Sequence, residues 1–296
     1  MSISKGDSLL RSWIHGVHQL SQFDVEKIGF PDGILLEVSP AEASMDSIPS
    51  MQRVLYMLRN YPGRFSFEIW KDNRFRFYFF SSARSAEGMI KSQLLSIYPQ
   101  VRVERAKNSV VRLVEGEYLY SCSLQLKGSE LNLRCPEDFH YDPLRHVLEA
   151  MNACDSRVMV QILFERLRKI PKNRRGVVAQ KYGDSLVSRG GRIPVMKCLI
   201  RMAAVSKDNY TAMESCGFVS RVFSVFDSDK CRLAPAGHFP LIGDSLRTLM
   251  NMAGRRFPMF SRWFMISVPE LASMVHLPVG AESCGVEYIN PSLTPW

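Results

Sequence analysis

Alternation of apolar and polar positions is sharpest between Arg64 and Arg105. Phe65, Phe67 and Ile69 alternate with Ser66, Glu68 and Trp70. After a polar turn at Lys71-Asp72-Asn73, Phe75, Phe77 and Phe79 alternate with Arg74, Arg76, Tyr78 and Phe80. A period of two predicts a hairpin with one apolar face and one mixed face, because successive strand side chains point to opposite sides. Met89, Ile90, Gln93, Leu94 and Ile97 then share one side of a helix that stops at Tyr98-Pro99, and Val101 to Arg105 reads as a closing strand. Upstream, Ile34 to Val38 reads as a strand. Ile48, Met51, Val54, Leu55 and Leu58 line one side of a helix ended by Tyr61-Pro62-Gly63. The order β-α-β-β-α-β is the ferredoxin-like unit, an antiparallel sheet with two helices on one face.

The same order recurs downstream. Tyr118 to Lys127 is a strand, with a short run near Leu131 to Arg134 as a candidate partner. Asp142-Pro143 opens a helix with Leu144, Val147, Leu148 and Met151 inward, and Arg157 to Glu165 and Val195 to Val205 are strands. A helix follows from Ser206 or Asp208, and Cys231 to Ala234 closes the unit. The fold class expected is therefore α+β, with two tandem ferredoxin-like (βαββαβ) units, each with an antiparallel sheet, plus a C-terminal return segment. The first unit covers residues 1–106 and includes an N-terminal helix that starts at Asp7 and carries Leu9, Leu10, Trp13, Ile14, Val17 and Leu20. The second covers 107–236, with a basic insertion at 166–194 in its central hairpin. Residues 237–296 hold the return segment, with a helix over 244–253, a strand from Trp263 to Ile266 and a capping box at Ser267 to Glu270. The last eighteen residues read as an extended arm.

Charge changes this picture in one place. The chain of 296 residues carries a formal net charge of +9. Ten basic residues and one acid, Asp184, lie between Arg166 and Lys197, so this stretch accounts for the whole excess. A flexible loop bearing Arg166, Arg168, Lys169, Lys172, Arg174, Arg175, Lys181, Arg189 and Arg192 is suited to nucleic-acid phosphate, which attracts cations without regard to base sequence. An acidic patch on a partner protein suits it equally.

Candidate catalytic chemistry is thin. No G-x-x-x-x-G-K-[ST], GxSxG, HExxH or GxGxxG occurs, and no catalytic residue, cofactor or metal site is assigned, so the chain reads as a non-enzyme. Cys135, His140, His146 and Cys154 are the nearest approach to a zinc set, but their spacings are looser than paired ligands need. The seven cysteines form no C-x-x-C pair and sit in apolar patterns, as buried reduced thiols do. No apolar run approaches the roughly 18–20 residues that cross a bilayer, and the start lacks a signal-peptide layout. The expected location is cytoplasmic, at the inner face of a membrane only through partners. The mixed hairpin face, with Arg74, Arg76, Tyr78 and Phe80, invites comparison with base-stacking RNA-recognition sheets, but lacks their glycines. Trp70, Tyr78 and Phe80 are large enough to demand cover by a neighbouring layer.

Several stretches in order carry a resemblance. They are LLRSWIHGVHQ at 9–19, the hairpin at 65–82, MIKSQLLSIYPQVRVE at 89–104, MVQILFERL at 159–167 and ISVPELASMVHLP at 266–278. With His15-Gly16, Gln93, Tyr98-Pro99, Glu270-Leu271-Ala272 and His276-Leu277-Pro278, the chain resembles the amino-terminal, non-motor domain of conjugation and type IV secretion DNA-translocating ATPases of the HerA–FtsK superfamily. In that family the HLP segment leads into a nucleotide-binding motor, whereas eighteen residues follow it here. The resemblance implies an accessory or assembly module of a DNA-transfer or DNA-packaging machine, from a plasmid or virus, with a separate P-loop ATPase and DNA as partners. Two alternatives stay open. One is a stand-alone, sequence-nonspecific nucleic-acid binder using the sheet face. The other is a structural protein of an oligomeric assembly whose arm through Trp296 docks on a neighbour.

Overall fold

The computed structural model describes residues 16–29, 32–41, 47–98, 100–106, 110–167, 169–183, 194–236, 245–259 and 261–289. Its ten strands join in a single antiparallel sheet: β1 (His18–Gln19), β2 (Ile34–Ser39), β3 (Arg64–Lys71), β4 (Phe75–Ser81), β5 (Arg102–Arg105), β6 (Tyr118–Gly128), β7 (Arg157–Arg166), β8 (Val195–Ser206), β9 (Cys231–Pro235) and β10 (Phe264–Ser267). The described α-helices are α1 (Gln22–Lys27), α2 (Ser47–Leu58), α3 (Glu87–Ile97), α4 (Leu144–Asn152), α5 (Arg175–Tyr182), α6 (Asn209–Val222), α7 (Ser245–Ala253) and α8 (Val268–Ala272). The protein is thus mixed α+β.

In the first half β2 pairs with β4 and β5, and β3 pairs with β4. In the second half β6 pairs with β8 and β9, and β7 pairs with β8. One sheet arises instead of two because β3 and β7 pair along their lengths, from Arg64 opposite Glu165 to Lys71 opposite Val158. An edge strand as apolar as β3 would otherwise leave its N–H and C=O groups open to association, and the seam removes that edge.

The alternation in β3, β4 and β7 sorts the two faces. Phe65, Phe67, Ile69, Phe77, Phe79, Val160, Ile162 and Phe164 join the larger core, into which α2, α4 and α6 send Met51, Val54, Leu55, Val147, Leu148, Cys216 and Val219. Phe65 and Phe164 stack across the seam with ring centroids 5.9 Å apart. The opposite face places Trp70, Tyr78, Phe80, Met159 and Ala203 against Leu249, Met252 and Ala253 of α7. Each fully buried side chain of this size contributes about 1.5–3 kcal/mol, so both faces stabilise the seam.

The return segment covers the sheet from both sides. On one face lies α7. β10 then pairs with β8, and Ser267 caps α8 through its hydroxyl while Glu270 accepts from the Ser267 N–H at 2.7 Å. On the other face α8 lies against α2, and Leu271, Val275, Leu277, Ala281, Cys284 and Val286 continue into the larger core. The part of the expected arm that is described, up to Ile289, is therefore built into the body, with Ile289 N donating to Pro40 O at 3.0 Å. Residues 290–296, with Trp296, lie outside the described residues.

Three local expectations differ. The expected N-terminal helix lies mostly outside the described residues. Its end, His18–Gln19, is a strand paired with β6, because Gly16 at φ +70 turns the chain. No strand forms near Leu131, whose own φ is +63, and β9 takes the place beside β6. The basic insertion is not a bare loop, since part of it is helical.

Candidate nucleic-acid interface

The basic segment begins where β7 ends at Arg166. Pro171 starts a 3-10 turn over Lys172–Arg174, which runs into α5 and stops at Gly183, φ +86, whose N–H returns to Ala179 O at 2.7 Å. A glycine there costs little because it lacks the Cβ that disfavours positive φ. The helix buries Val178 beside Leu131, Val195 and Met265, with Leu167, Ile170, Val177, Tyr182 and Trp263 around them.

Two of the nine predicted cations serve as anchors. Arg174 stacks on Trp263, 4.1 Å from the ring centroid, and pairs with Glu130 at 3.2 Å. Burial pushes the Glu130 carboxyl above its ordinary value, opposed by the Met265 N–H and Arg174. Lys181 reaches the fully buried Glu270 at 3.2 Å and donates to Leu131 O. By contrast Arg166, Lys169, Lys172 and Arg175 are exposed and make no ion pair with any described residue. Arg168, Arg189 and Arg192 lie outside the described residues. Lys172, Arg174 and Arg175 gather at the start of α5, which has no side-chain cap. Cations at the positive end of a helix dipole are unfavourable, and an anion there relieves them.

The mixed hairpin face is not an open surface. Trp70 and Tyr78 lie with ring centroids 3.9 Å apart, and both are buried with Phe80. Burial, then Glu37, pushes the Tyr78 phenol well up. Arg74 is exposed and 3.7 Å from Glu287.

Beneath α7 lies a buried polar cluster. Glu68 accepts from Ser66 Oγ at 2.6 Å, Trp70 Nε1 at 3.1 Å, Gln161 Nε2 at 2.9 Å and Arg255 at 2.9 and 2.8 Å. Arg201 donates to Gln161 Oε1 at 2.5 Å and to Arg256 O at 2.9 Å. Burial pushes Arg201 down to about 9, with Glu68 opposing and Arg255 adding to the shift. The sequence reasoning missed this cluster. Its one signal was an arginine in VMKCLIRMAAV, where every other residue on that strand side after Lys197 is apolar.

A family of domains of unknown function, DUF8128, matches residues 37–186, from β2 through the basic helix. The chain belongs to the DUF8128 family. A search of curated proteins finds no match. Among solved structures, aclacinomycin oxidoreductase aligns at 9% identity and a TM-score of 0.31, over 66% of this chain and 42% of that one. A likeness that low carries no argument about fold or activity, and this chain spans less than half the length of that protein.

The remaining candidates in this DUF8128 chain do not converge on chemistry. Cys154 is buried and donates to Ala150 O at 3.1 Å, whereas His146 is half-buried, edge-on to Tyr141 and 3.7 Å from Glu149. Among the described residues no three or more His, Cys, Asp or Glu side chains gather as a metal set. All seven cysteines are free, and six are buried. Open clefts occur among the described residues. One of roughly 600 Å³, between α4 and α6, is lined by His146, Glu149, Phe218, Arg221 and Val222. One of roughly 630 Å³ beside the basic helix mixes Arg134, Lys181 and Lys230 with Asp138, Asp227 and Asp229. No described helix is long and apolar enough to cross a membrane. Of the residues that carried the resemblance, Tyr98 and Leu277 meet at Ser47: Tyr98 donates to Ser47 O at 2.6 Å, and the Ser47 hydroxyl donates to Leu277 O.

Proposed function

We propose that this chain is a non-enzymatic accessory module of a DNA-transfer or DNA-packaging machine, which rests its basic segment on nucleic-acid phosphate. The observation that carries the reading is the construction of that segment. Val178, Arg174 and Lys181 hold it to the body, while Arg166, Lys169, Lys172 and Arg175 face outward with no described counter-charge. A purely structural helix gains nothing from cations at its start, whereas a phosphate-binding one does. The covered hairpin face favours this segment over the sheet as the contact surface.

A separate P-loop motor of the HerA–FtsK type is the proposed partner, and the proposed place of action is the cytoplasm, at a membrane only through that partner. Support for the motor comes from the sequence segments at 9–19, 65–82, 89–104, 159–167 and 266–278. In the same reading the halves at 1–106 and 107–236 are tandem ferredoxin-like units abutting at the β3–β7 seam. The matching pairing scheme of β2 to β5 and of β6 to β9 supports this.

The test is binding of a duplex oligonucleotide across a salt series, for the chain and for a Lys169→Ser, Lys172→Ser, Arg175→Ser variant. Each lost phosphate contact flattens the slope of log K against log salt by about 0.9, so the variant should lose close to three such steps. Equal slope and affinity in the two proteins would refute the role.

A further inference from the structure

We propose that the loop tip at Pro258 and Met259 is an apolar wedge, which enters a base step of the duplex whose phosphates the basic segment meets. The inference rests on that phosphate reading. Met259 is 90% exposed, more than any other large apolar side chain among the described residues. A single exposed apolar residue is ordinary on a protein surface. What sets this one apart is that the chain on both sides of it is fastened, so the side chain is held out in water. Phe260 lies outside the described residues.

Before the tip, Arg255 donates to the buried Glu68 at 2.9 and 2.8 Å, and Arg256 O accepts from the buried Arg201 at 2.9 Å. The Phe257 ring centroid lies 3.9 Å from Lys197 Nζ. After the tip, Arg262 donates to Gln125 Oε1, and the Trp263 ring centroid is 4.1 Å from Arg174 and 5.3 Å from Lys197. Ser261 N donates to Pro258 O at 3.0 Å, which closes a turn under the tip. The buried arginines therefore act on the surface as well, because they fix the foot from which Met259 projects.

The tip stands next to the basic segment. Arg174, stacked on Trp263, precedes Arg175 and follows Lys172 by two positions. Trp263 is four residues from Met259. That is a reach of at most about 14 Å, or about four base pairs along a duplex. Exposed Arg256 and Arg262 flank the tip three residues away on either side. An apolar point among cations has the composition of side chains that wedge between base pairs. The cations hold the phosphates, and the apolar group covers the base faces that lose their stacking contact.

Charge with apolar surface also suits an anionic lipid layer, but the apolar part is too small for one. Interfacial segments bury a whole stripe of apolar side chains along a helix. Here one methionine projects, with Phe257 and Pro258 half-buried behind it. A single unbranched, flexible side chain fills a single base step. Pyrimidine–purine steps unstack most readily, so they are the expected points of entry.

The experiment uses the full chain and a short duplex whose pyrimidine–purine steps carry the fluorescent base aminopurine, which brightens on unstacking. Binding should raise that fluorescence several-fold. Met259→Ser should keep the melting temperature and the slope of log K against log salt, yet lose the fluorescence rise and bind several-fold more weakly. Met259→Leu should keep the rise. Binding with a steep salt slope but no change in fluorescence would overturn the wedge and leave the phosphate reading standing. No salt-dependent duplex binding, or an unaltered slope in the Lys169→Ser, Lys172→Ser, Arg175→Ser variant, would remove the phosphate reading and the wedge with it. Binding to phosphatidylserine vesicles that Met259→Ser abolishes, with duplex binding and its fluorescence unchanged, would assign the tip to lipid and overturn the inference.

Discussion

Arg255 meets Glu68 end on, Nε 2.9 Å from Oε1 and Nη2 2.8 Å from Oε2, and neither side chain reaches solvent. Arg255 follows α7 in a left-handed conformation, φ +46, at a place where glycine is commoner. Its N–H returns to Met252 O, and that of Arg256 to Asn251 O, both at 3.0 Å, so the helix end aims the guanidinium at β3. Breaking one side of such a buried pair costs about 3–5 kcal/mol. Arg255→Met should show that loss in urea unfolding. Combining it with Glu68→Met should cost less than the sum of the single changes, although Ser66, Trp70 and Gln161 then lose an acceptor.

The tail supplies a second test. Ala281, Cys284 and Val286 are buried in the larger core. Ending the chain before Gly280 removes them all, and each large buried side chain is worth about 1.5–3 kcal/mol. The shortened protein should unfold at clearly lower denaturant. Its sedimentation should stay that of the parent, because this stretch buries itself within its own chain. A change in assembly state at unchanged stability would contradict that assignment.

Arg174 separates anchoring from contact. Its stacking on Trp263 and pairing with Glu130 tether the basic segment. Cation–π and partly exposed ion-pair contacts are worth about 0.5–2 kcal/mol together. Arg174→Ala should speed tryptic cleavage between Arg166 and Gly183 several-fold while leaving the melting temperature nearly unchanged. Equal cleavage rates would show that the tether is elsewhere.

Glu87 gives a pH dependence with a definite sign. Hydrogen bonds from Arg105, then Lys91, hold its carboxyl down from the ordinary 4.5 to about 2. A depressed carboxyl contributes stability above its unfolded value and loses it as pH falls through the folded one. The Arg105 side chain is 72% exposed, so solvent screens the pair and leaves it a small contribution. Arg105→Gln should reduce the acid sensitivity of unfolding between about 4.5 and about 2 and leave stability near neutrality almost unaltered.

Much of this architecture was legible in local pattern. Period-two alternation marked β3 and β4, β7 was read as a strand over Arg157 to Glu165, apolar spacing marked α2, α3 and α4, and Ser267 with Glu270 marked a capping box that forms. These features depend on neighbours within a few residues, and there the sequence carries its own instructions. The site was half legible. Charge density located the basic segment, but Arg174 and Lys181 read the same as Lys169 and Lys172 until Glu130, Trp263 and Glu270 came beside them.

By itself, then, the sequence determined most of the strands and helices, which of their sides are apolar and where the surplus charge lies. Tertiary structure alone decided that β3 finds β7, that Arg255 finds Glu68 and that His276 finds Asp142. Periodicity reports the direction in which a side chain points, but not the segment it meets. Partners 93, 187 and 134 residues apart are chosen by packing and by the need to satisfy buried polar groups, and neither leaves a local trace.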